Sequence, residues 1–374
     1  MARTQAETRR LDNADSDQRR PHIRRLALTT AITAIVSLFA MSNGLQALSG
    51  DGRGPTLGAW AQGEDLNVQD RAATIATASL PPAVCGTWAM LQANKTTTVT
   101  YNKPAIDAAL AVPGVKGLSL RAPWTSITAD LGIYDLGVQI AKADSSALAI
   151  RFIAGTATPP QFIGNGTTMA GKTIPLPWAK ETTPTSFLPN TVFETGYQAT
   201  VKQLAAYARA NGIRLLHLTW YGGGAAEIYN GPEVIAAPGY SVQNFLKGYE
   251  RLVDIGMAMA GPDLTVEFPL SGTGTRAIVI PLEAYMSAKF GSNNPALITQ
   301  FNSLTDQLPA ATPPANGVYV TRQMKAQGDY NWVTVYSTLV NQKSESVEVY
   351  LQSFDKSLAH AASLRQQVGA FKGC

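Results

Sequence analysis

The sequence predicts an α/β fold in which parallel strands and connecting helices close into a (β/α)8 TIM barrel, preceded by an N-terminal signal or anchor helix and a linker. From about residue 94, short apolar stretches alternate with longer helical patterns, which is typical of a parallel sheet with crossover helices. Several apolar stretches are nearly continuous, as in strands covered on both faces. A doubly wound open sheet is the alternative, but the expected Gly-rich phosphate turn does not follow residues 117–123.

The N-terminal region is predicted to be an export signal. Residues 1–25 hold seven arginines and four acidic residues, and so carry three of the chain's four net positive charges. Residues 26–42 (LALTTAITAIVSLFAMS) contain no charge and directly follow Arg24 and Arg25, which is typical of a signal peptide or a signal anchor. A buried core helix is the alternative. We expect export, with membrane association if the segment is not cleaved.

The remaining chain divides into a linker and a folded domain. Residues 43–80 are rich in Gly, Asp, Ala and Ser and are predicted to be a flexible linker, so residues 81–374 should form the barrel. Hydrophobic residues make up 45% of the chain and charged residues 15%, which excludes a disordered chain. Because the basic residues concentrate in the tail, we expect no nucleic-acid partner.

The predicted elements follow from apolar periodicity. Gly212 should end the helix at 197–211, and Ser241 is a plausible N-cap for the helix at 242–260. The Pro- and Thr-rich loop that follows Pro159 is long enough to cover a cleft. The seven strand candidates are 96–101, 117–123, 147–154, 213–220, 264–270, 317–323 and 346–352, and further helices are expected at 277–290, 331–340 and 358–371.

The two cysteines, Cys85 and Cys374, lie near the start of the folded part and at the last residue. In a closed barrel the last strand pairs with the first, so the two ends of the domain meet. A disulfide between these cysteines would then pin the C-terminus. Two unpaired thiols are the alternative.

Polar and aromatic residues cluster at the carboxyl ends of the predicted strands, where barrels build their sites. The sequence contains no HExxH, paired CxxC, Walker loop or GxSxG motif, and few histidines. We therefore expect neither a metal nor a cofactor. Acids combined with aromatic residues suit glycoside hydrolysis. The candidate substrate-binding residues are Arg121, Trp124, Arg151, His217, Trp220, Tyr221, Glu267 and Gln323.

Four stretches resemble the barrel glycoside hydrolases of clan A, the β-galactosidase-like group: GLSLRAPWTSI, ALAIRFIAGTATPPQF, LHLTWYGGGAAE and SVEVYLQSFD. The resemblance implies a carbohydrate substrate and retaining hydrolysis of O-glycosidic bonds. It makes Glu227 the general acid/base and Glu348, on the seventh predicted strand, the nucleophile. One departure is Ala226, where members of the clan usually carry Asn.

Other functions remain open. The barrel could bind a glycan at the cell surface without cleaving it, as a pseudoenzyme, or serve as a scaffold or structural envelope protein. Glu227 could be a solvated loop carboxylate, and Glu348 could form a structural ion pair with Arg121 or Arg151. Glu267 is a reserve nucleophile or a salt-bridge partner. Trp124, Trp178 and Trp220 could form a sugar platform or pack in the core.

Overall fold

The computed structural model describes residues 84–91, 103–128, 131–221, 228–270, 272–273, 276–292, 294–302, 319–324 and 330–374. All of them belong to one compact unit, Gly63–Cys374. The predicted tail, signal or anchor helix and linker lie outside the described residues, as does the strand predicted at 96–101.

Eight parallel strands form a closed barrel in which each strand pairs with its neighbours in chain order and the last pairs with the first. The barrel is the fold that the sequence predicts. The strands are β1 Gly86–Leu91, β2 Val115–Pro123, β3 Ala147–Ile153, β4 Leu215–His217, β5 Thr265–Pro269, β6 Leu297–Asn302, β7 Tyr319–Gln323 and β8 Ser346–Tyr350.

Helices follow the strands and cover the outside of the barrel. Ser241 caps the helix Val242–Ala260 by accepting a hydrogen bond from the backbone N–H of Asn244 at 3.0 Å, and Gly212 ends the helix Thr191–Asn211 in the left-handed conformation at φ 72°. The helices are α1 Lys103–Leu110, α2 Asp135–Ala143, α3 Thr191–Asn211, α4 Val242–Ala260, α5 Arg276–Phe290, α6 Trp332–Asn341 and α7 Ala361–Ala370. In the described part of the chain, none is long and apolar enough to cross a membrane.

Shorter elements lie in the connections. Two antiparallel strands form a hairpin after β3, and two parallel two-residue strands lie after β4 and β5. These elements are the strands Gly166–Met169, Lys172–Pro175, Ile228–Tyr229 and Gly272–Thr273, the short helices Trp124–Ile127 and Pro232–Ile235, and the 3-10 turns Leu131–Tyr134, Gly155–Ala157, Pro160–Phe162 and Leu351–Phe354.

Two strands were not predicted from the sequence. The first barrel strand is Gly86–Leu91, earlier than the candidate at 96–101, and Leu297–Asn302 had no candidate at all. Only the second omission shifts the strand numbering, by one, because the candidate at 96–101 already counted as the first strand. Glu348 consequently lies on β8 and not on a seventh strand.

Alternating residues of the strands face the barrel interior. Trp88, Ala149, Leu215 and Ile298 form an apolar cluster there, separate from the larger core between strands and helices. Arg151 and His217 follow two of these positions by two residues, so their side chains face the same way as the apolar cluster. The interior is therefore apolar toward the amino ends of the strands and polar toward their carboxyl ends.

A disulfide joins Cys85 to Cys374, with 5.6 Å between their Cα atoms. Cys85 directly precedes β1, and the backbone N–H of Gly86 donates to the carbonyl of Glu345, just before β8, at 3.0 Å. The covalent bond therefore ties the end of the chain to the seam where the first and last strands meet.

The connection after β3 is held by one buried side chain, Asn190. Its amide nitrogen donates to the carbonyls of Ile163, Asn165 and Leu176 at 2.9–3.0 Å, and its oxygen caps α3 at the N–H of Phe193. The loop predicted to cover a cleft thus carries a hairpin that is fixed to the start of α3.

Replacing Asn190 by alanine should destabilise the protein by about 2–4 kcal/mol, because three carbonyls lose a donor and α3 loses its cap. Urea unfolding of the full chain followed by circular dichroism measures this loss. Asn331→Ala is the matched control, since Asn331 caps α6 through Thr334 but is exposed. An equal effect of both substitutions would show that Asn190 acts only as a cap.

Candidate functional site: a buried charged network

A network of charged and polar side chains occupies the carboxyl half of the barrel interior. Arg121, Arg151, His217 and Glu267 lie side by side in register on β2 to β5, and Gln323 is in register with Glu348 across β7 and β8. None of the six is more than 4% exposed. The six are among the residues that the sequence singled out.

Arg151 contacts four members of this network. Its Nη1 donates to Oε1 of Gln323 at 3.0 Å, and its Nη2 donates to Oε2 of Glu348 at 3.0 Å and to Oε1 of Glu267 at 3.4 Å. The same Nη2 lies 2.6 Å from Nδ1 of His217. One guanidinium therefore bridges both buried carboxylates.

Glu348 is held as an anion. Its Oε1 accepts a short hydrogen bond from the hydroxyl of Ser119, and its Oε2 accepts from Arg151 and, at 3.4 Å, from Nη2 of Arg121. Burial opposes ionisation, but the charges of Arg151, His217 and Arg121 outweigh it and hold the pKa of Glu348 well below its usual range. A carboxylate fixed in this way is ionised at neutral pH.

Glu267 has its own set of partners. The hydroxyl of Thr321 donates to its Oε2 at 2.7 Å. Its Oε1 accepts a hydrogen bond from Nη2 of Arg151 at 3.4 Å and contacts Nδ1 of His217. Both carboxylates thus have hydrogen-bond donors, which buried charges require.

His217, Glu267 and Glu348 bring nitrogen and oxygen donors within 4.8 Å of one another, a spacing that could hold a metal ion. The guanidinium of Arg151, however, contacts all three side chains. A divalent cation would have to displace it and would lie beside two buried positive charges, at a large electrostatic cost. The geometry supports an ion-pair network at this place, and the expectation of no metal stays a prediction.

Ser119 and Thr321 were missed from the sequence. Each is a small hydroxyl residue two positions before a predicted site residue on the same strand, Arg121 and Gln323 respectively. Because alternate strand residues share a face, that spacing was the available signal.

The aromatic candidates do not line this network. Trp124 is fully buried between barrel and helices, where its indole N–H donates to Thr200 at 2.8 Å and its ring packs against Phe152 and Phe193. Its assignment to substrate binding is corrected: it packs in the core because it has no face left for a ligand.

The same correction applies to the aromatic residues after β4. Trp220 stacks on Phe268 and packs at a tilt against Tyr249, and its N–H donates to the carbonyl of Pro269. Tyr221 is 1% exposed and packs against Phe193 with 4.3 Å between ring centroids. Trp178 is also fully buried, with its N–H on the carbonyl of Pro238. These rings form core and not a sugar platform.

Glu227 lies outside the described residues, as do the other residues of 222–227, so the separation of its carboxyl from that of Glu348 is not defined. Glu348 lies on β8, while the end of β7 carries Gln323. The position of Glu348 on a seventh strand, which supported its role as nucleophile, is therefore wrong.

No family model and no curated protein matches this chain. Among solved structures, it is similar to a D-allulose 3-epimerase from Methylomonas sp., with 9% identity over 79% of this chain and 96% of that one and a TM-score of 0.43. It is also similar to a GH18 chitinase from Pseudoalteromonas aurantia, with 11% identity over 75% of this chain and 99% of that one and a TM-score of 0.42. A GH10 endoxylanase from a sugarcane soil metagenome has 10% identity over 71% of this chain and 85% of that one, with a TM-score of 0.41.

Proposed function

We propose that this protein is an exported carbohydrate-acting barrel that hydrolyses O-glycosidic bonds with retention of configuration. The observation that carries the proposal is Glu348: a carboxylate kept ionised and oriented by Ser119, Arg121 and Arg151 in the carboxyl half of a closed parallel barrel. Strongly perturbed ionisable groups at that end of a barrel are typical of active sites.

In the proposed reaction Glu227 protonates the glycosidic oxygen while a carboxylate oxygen of Glu348 forms a bond to the anomeric carbon, and the leaving group departs. Water then attacks the anomeric carbon, Glu227 takes up its proton, and Glu348 is released. Arg121 and Arg151 hold Glu348 in its ionised form. His217, Glu267 and Gln323 would orient the charged groups or bind sugar hydroxyls.

A panel of aryl glycosides tests this proposal. Glu348→Gln and Glu227→Gln should each lower kcat at least about 100-fold, because a carboxamide can neither attack nor donate a proton. Glu233→Gln is the control: Glu233 is half-buried on the short helix Pro232–Ile235, accepts a hydrogen bond from the hydroxyl of Tyr229 and is not a member of the barrel network, so turnover should be unchanged. Equal turnover in the wild type and both catalytic variants would discard both assignments.

Glycan binding without cleavage is the second candidate. One observation in its favour is that the carboxylates of Glu348 and Glu267 already accept hydrogen bonds from guanidinium and hydroxyl groups within the barrel. Another is that Ala226 precedes Glu227, where the glycoside hydrolases of clan A usually carry Asn. No turnover by the wild type, together with calorimetric binding of an oligosaccharide, would select this function.

Export rests on the sequence of residues 1–42. The Cys85–Cys374 disulfide supports it, because disulfides persist mainly in oxidising compartments. Anchoring of the protein to a membrane through residues 26–42 is part of the same proposal.

A further inference from the structure

Arg121 is a buried guanidinium with few hydrogen-bond partners for its positive charge. It is 3% exposed, and among the described residues its hydrogen bonding consists of one contact, from Nη2 to Oε2 of Glu348 at 3.4 Å. Its Nε has no hydrogen-bond partner there. A buried charged group without adequate partners is costly, so this arrangement needs an explanation.

The counter-charge available to Arg121 is shared. Arg151 lies closer to the same oxygen of Glu348, at 3.0 Å, and also reaches Glu267 and Gln323. Burial and then the like charge of Arg151 lower the pKa of Arg121, and Glu348 offsets this only in part. Two guanidiniums thus compete for one carboxylate oxygen, and Arg121 is the less well paired.

Nε of Arg121 is a buried donor without a hydrogen-bond partner in the described part of the chain. The buried Nε2 of His217 makes no hydrogen bond within the described residues, but it lies 3.4 Å from Oε1 of Glu348. The four oxygens of Glu267 and Glu348 already face donors. A ligand that completes the network therefore has to present acceptor atoms to Arg121.

Hydroxyl and carboxylate oxygens both accept hydrogen bonds, but only a carboxylate also supplies negative charge. The planar guanidinium of arginine matches a carboxylate in a paired geometry that a hydroxyl cannot reproduce. An acidic group would thus provide both the charge and the acceptors that Arg121 lacks.

We propose that Arg121 binds the carboxylate of an acidic sugar, so that the ligand of this barrel is a uronic-acid-containing glycan and not a neutral one. This inference rests on the proposed function, because it names the class of carbohydrate that the same site accepts. Arg121 is then the residue that determines specificity for charge.

Calorimetry of the full chain with matched sugar pairs tests the inference: glucuronate against glucose, and galacturonate against galactose. In the wild type the uronate should bind at least about tenfold more tightly than its neutral partner, as expected for a charged hydrogen-bonded pair. Arg121→Gln should reduce this preference to less than about threefold.

Arg209→Gln is the matched control, because Arg209 pairs with Asp263 on the surface and should leave the preference unchanged. If Arg121→Gln does not fold, Arg121→Lys replaces it; this variant keeps the charge but lacks the paired geometry, and should lose most of the preference. Equal affinity of the wild type for uronate and neutral sugar would overturn the inference and leave the proposed function standing.

Binding of neither sugar would instead count against the proposed function. Thermal unfolding in sodium acetate against sodium chloride at equal ionic strength then decides the inference by itself. A higher Tm in acetate that is absent in the Arg121 variant supports a carboxylate site, whereas an equal Tm in the two salts overturns it.

Discussion

Arg151→Leu is expected to lower the free energy of unfolding by about 3–5 kcal/mol, because the substitution leaves two buried carboxylates without their shared cation. Glu348 would retain Ser119 and the 3.4 Å contact to Arg121, and Glu267 would retain Thr321 and His217. Urea unfolding of the full chain measures the loss. Restoring part of it by adding Glu348→Gln would show that the uncompensated charge is its cause.

Arg209→Leu is the control for this prediction. It removes an arginine from an ion pair with Asp263 whose side chains are 40% and 43% exposed, and should cost at most about 1 kcal/mol. Similar losses in the two variants would contradict the view that burial of the charges decides the effect.

Arg151→Leu should also change how the free energy of unfolding depends on pH below neutrality. Because the folded-state pKa of Glu348 is depressed, its contribution is fully present above the unfolded-state pKa of about 4.3 and is lost as the pH falls toward the folded-state pKa. Without Arg151 the depression shrinks, so the contribution at neutral pH is smaller and ends at a higher pH. Unfolding free energies measured from pH 3 to 7 check this direction.

Removal of the disulfide should have an effect of similar size. The bond closes a loop across a sequence separation of 289 residues, for which loop-closure entropy gives an upper figure of about 6 kcal/mol. We expect Cys85→Ser with Cys374→Ser to lose several kcal/mol in urea unfolding.

Dithiothreitol provides the comparison. Wild-type protein reduced with dithiothreitol should unfold at the same urea concentration as the double variant. The urea concentration at which the double variant unfolds should not change when dithiothreitol is added. A double variant as stable as oxidised wild type would mean that the seam between β1 and β8 holds without the covalent bond.

The barrel could be predicted because its strands alternate with helical patterns, and β2, β3, β5, β7 and β8 were found close to their positions in the structure. Gly86–Leu91 (GTWAML) was missed because the run of threonines just after it has the stronger β propensity. Leu297–Asn302 (LITQFN) was missed because Thr and Gln interrupt its apolar pattern.

The sequence correctly indicated the charged residues of the network, but the aromatic residues that it indicated lie in the core. Charged residues in apolar strands are rare, so Arg121, Arg151 and Glu348 stood out from the sequence. Trp124 and Trp220 carried no such signal, because a tryptophan after a strand packs equally well into the core or against a ligand. The pairing of Arg151 with two carboxylates depends on strands far apart in sequence, which no local pattern encodes.

The placement of Glu348 on the last strand has a consequence for biogenesis. A nascent chain that still lacks β8 already contains Arg121 and Arg151, but only Glu267 of the two acids that neutralise them. The interior cannot reach electrical neutrality until β8 has been made and has paired with β1 and β7. The charged network of the native state therefore cannot form without β8, and a chain truncated before β8 would leave these arginines without the carboxylate of Glu348.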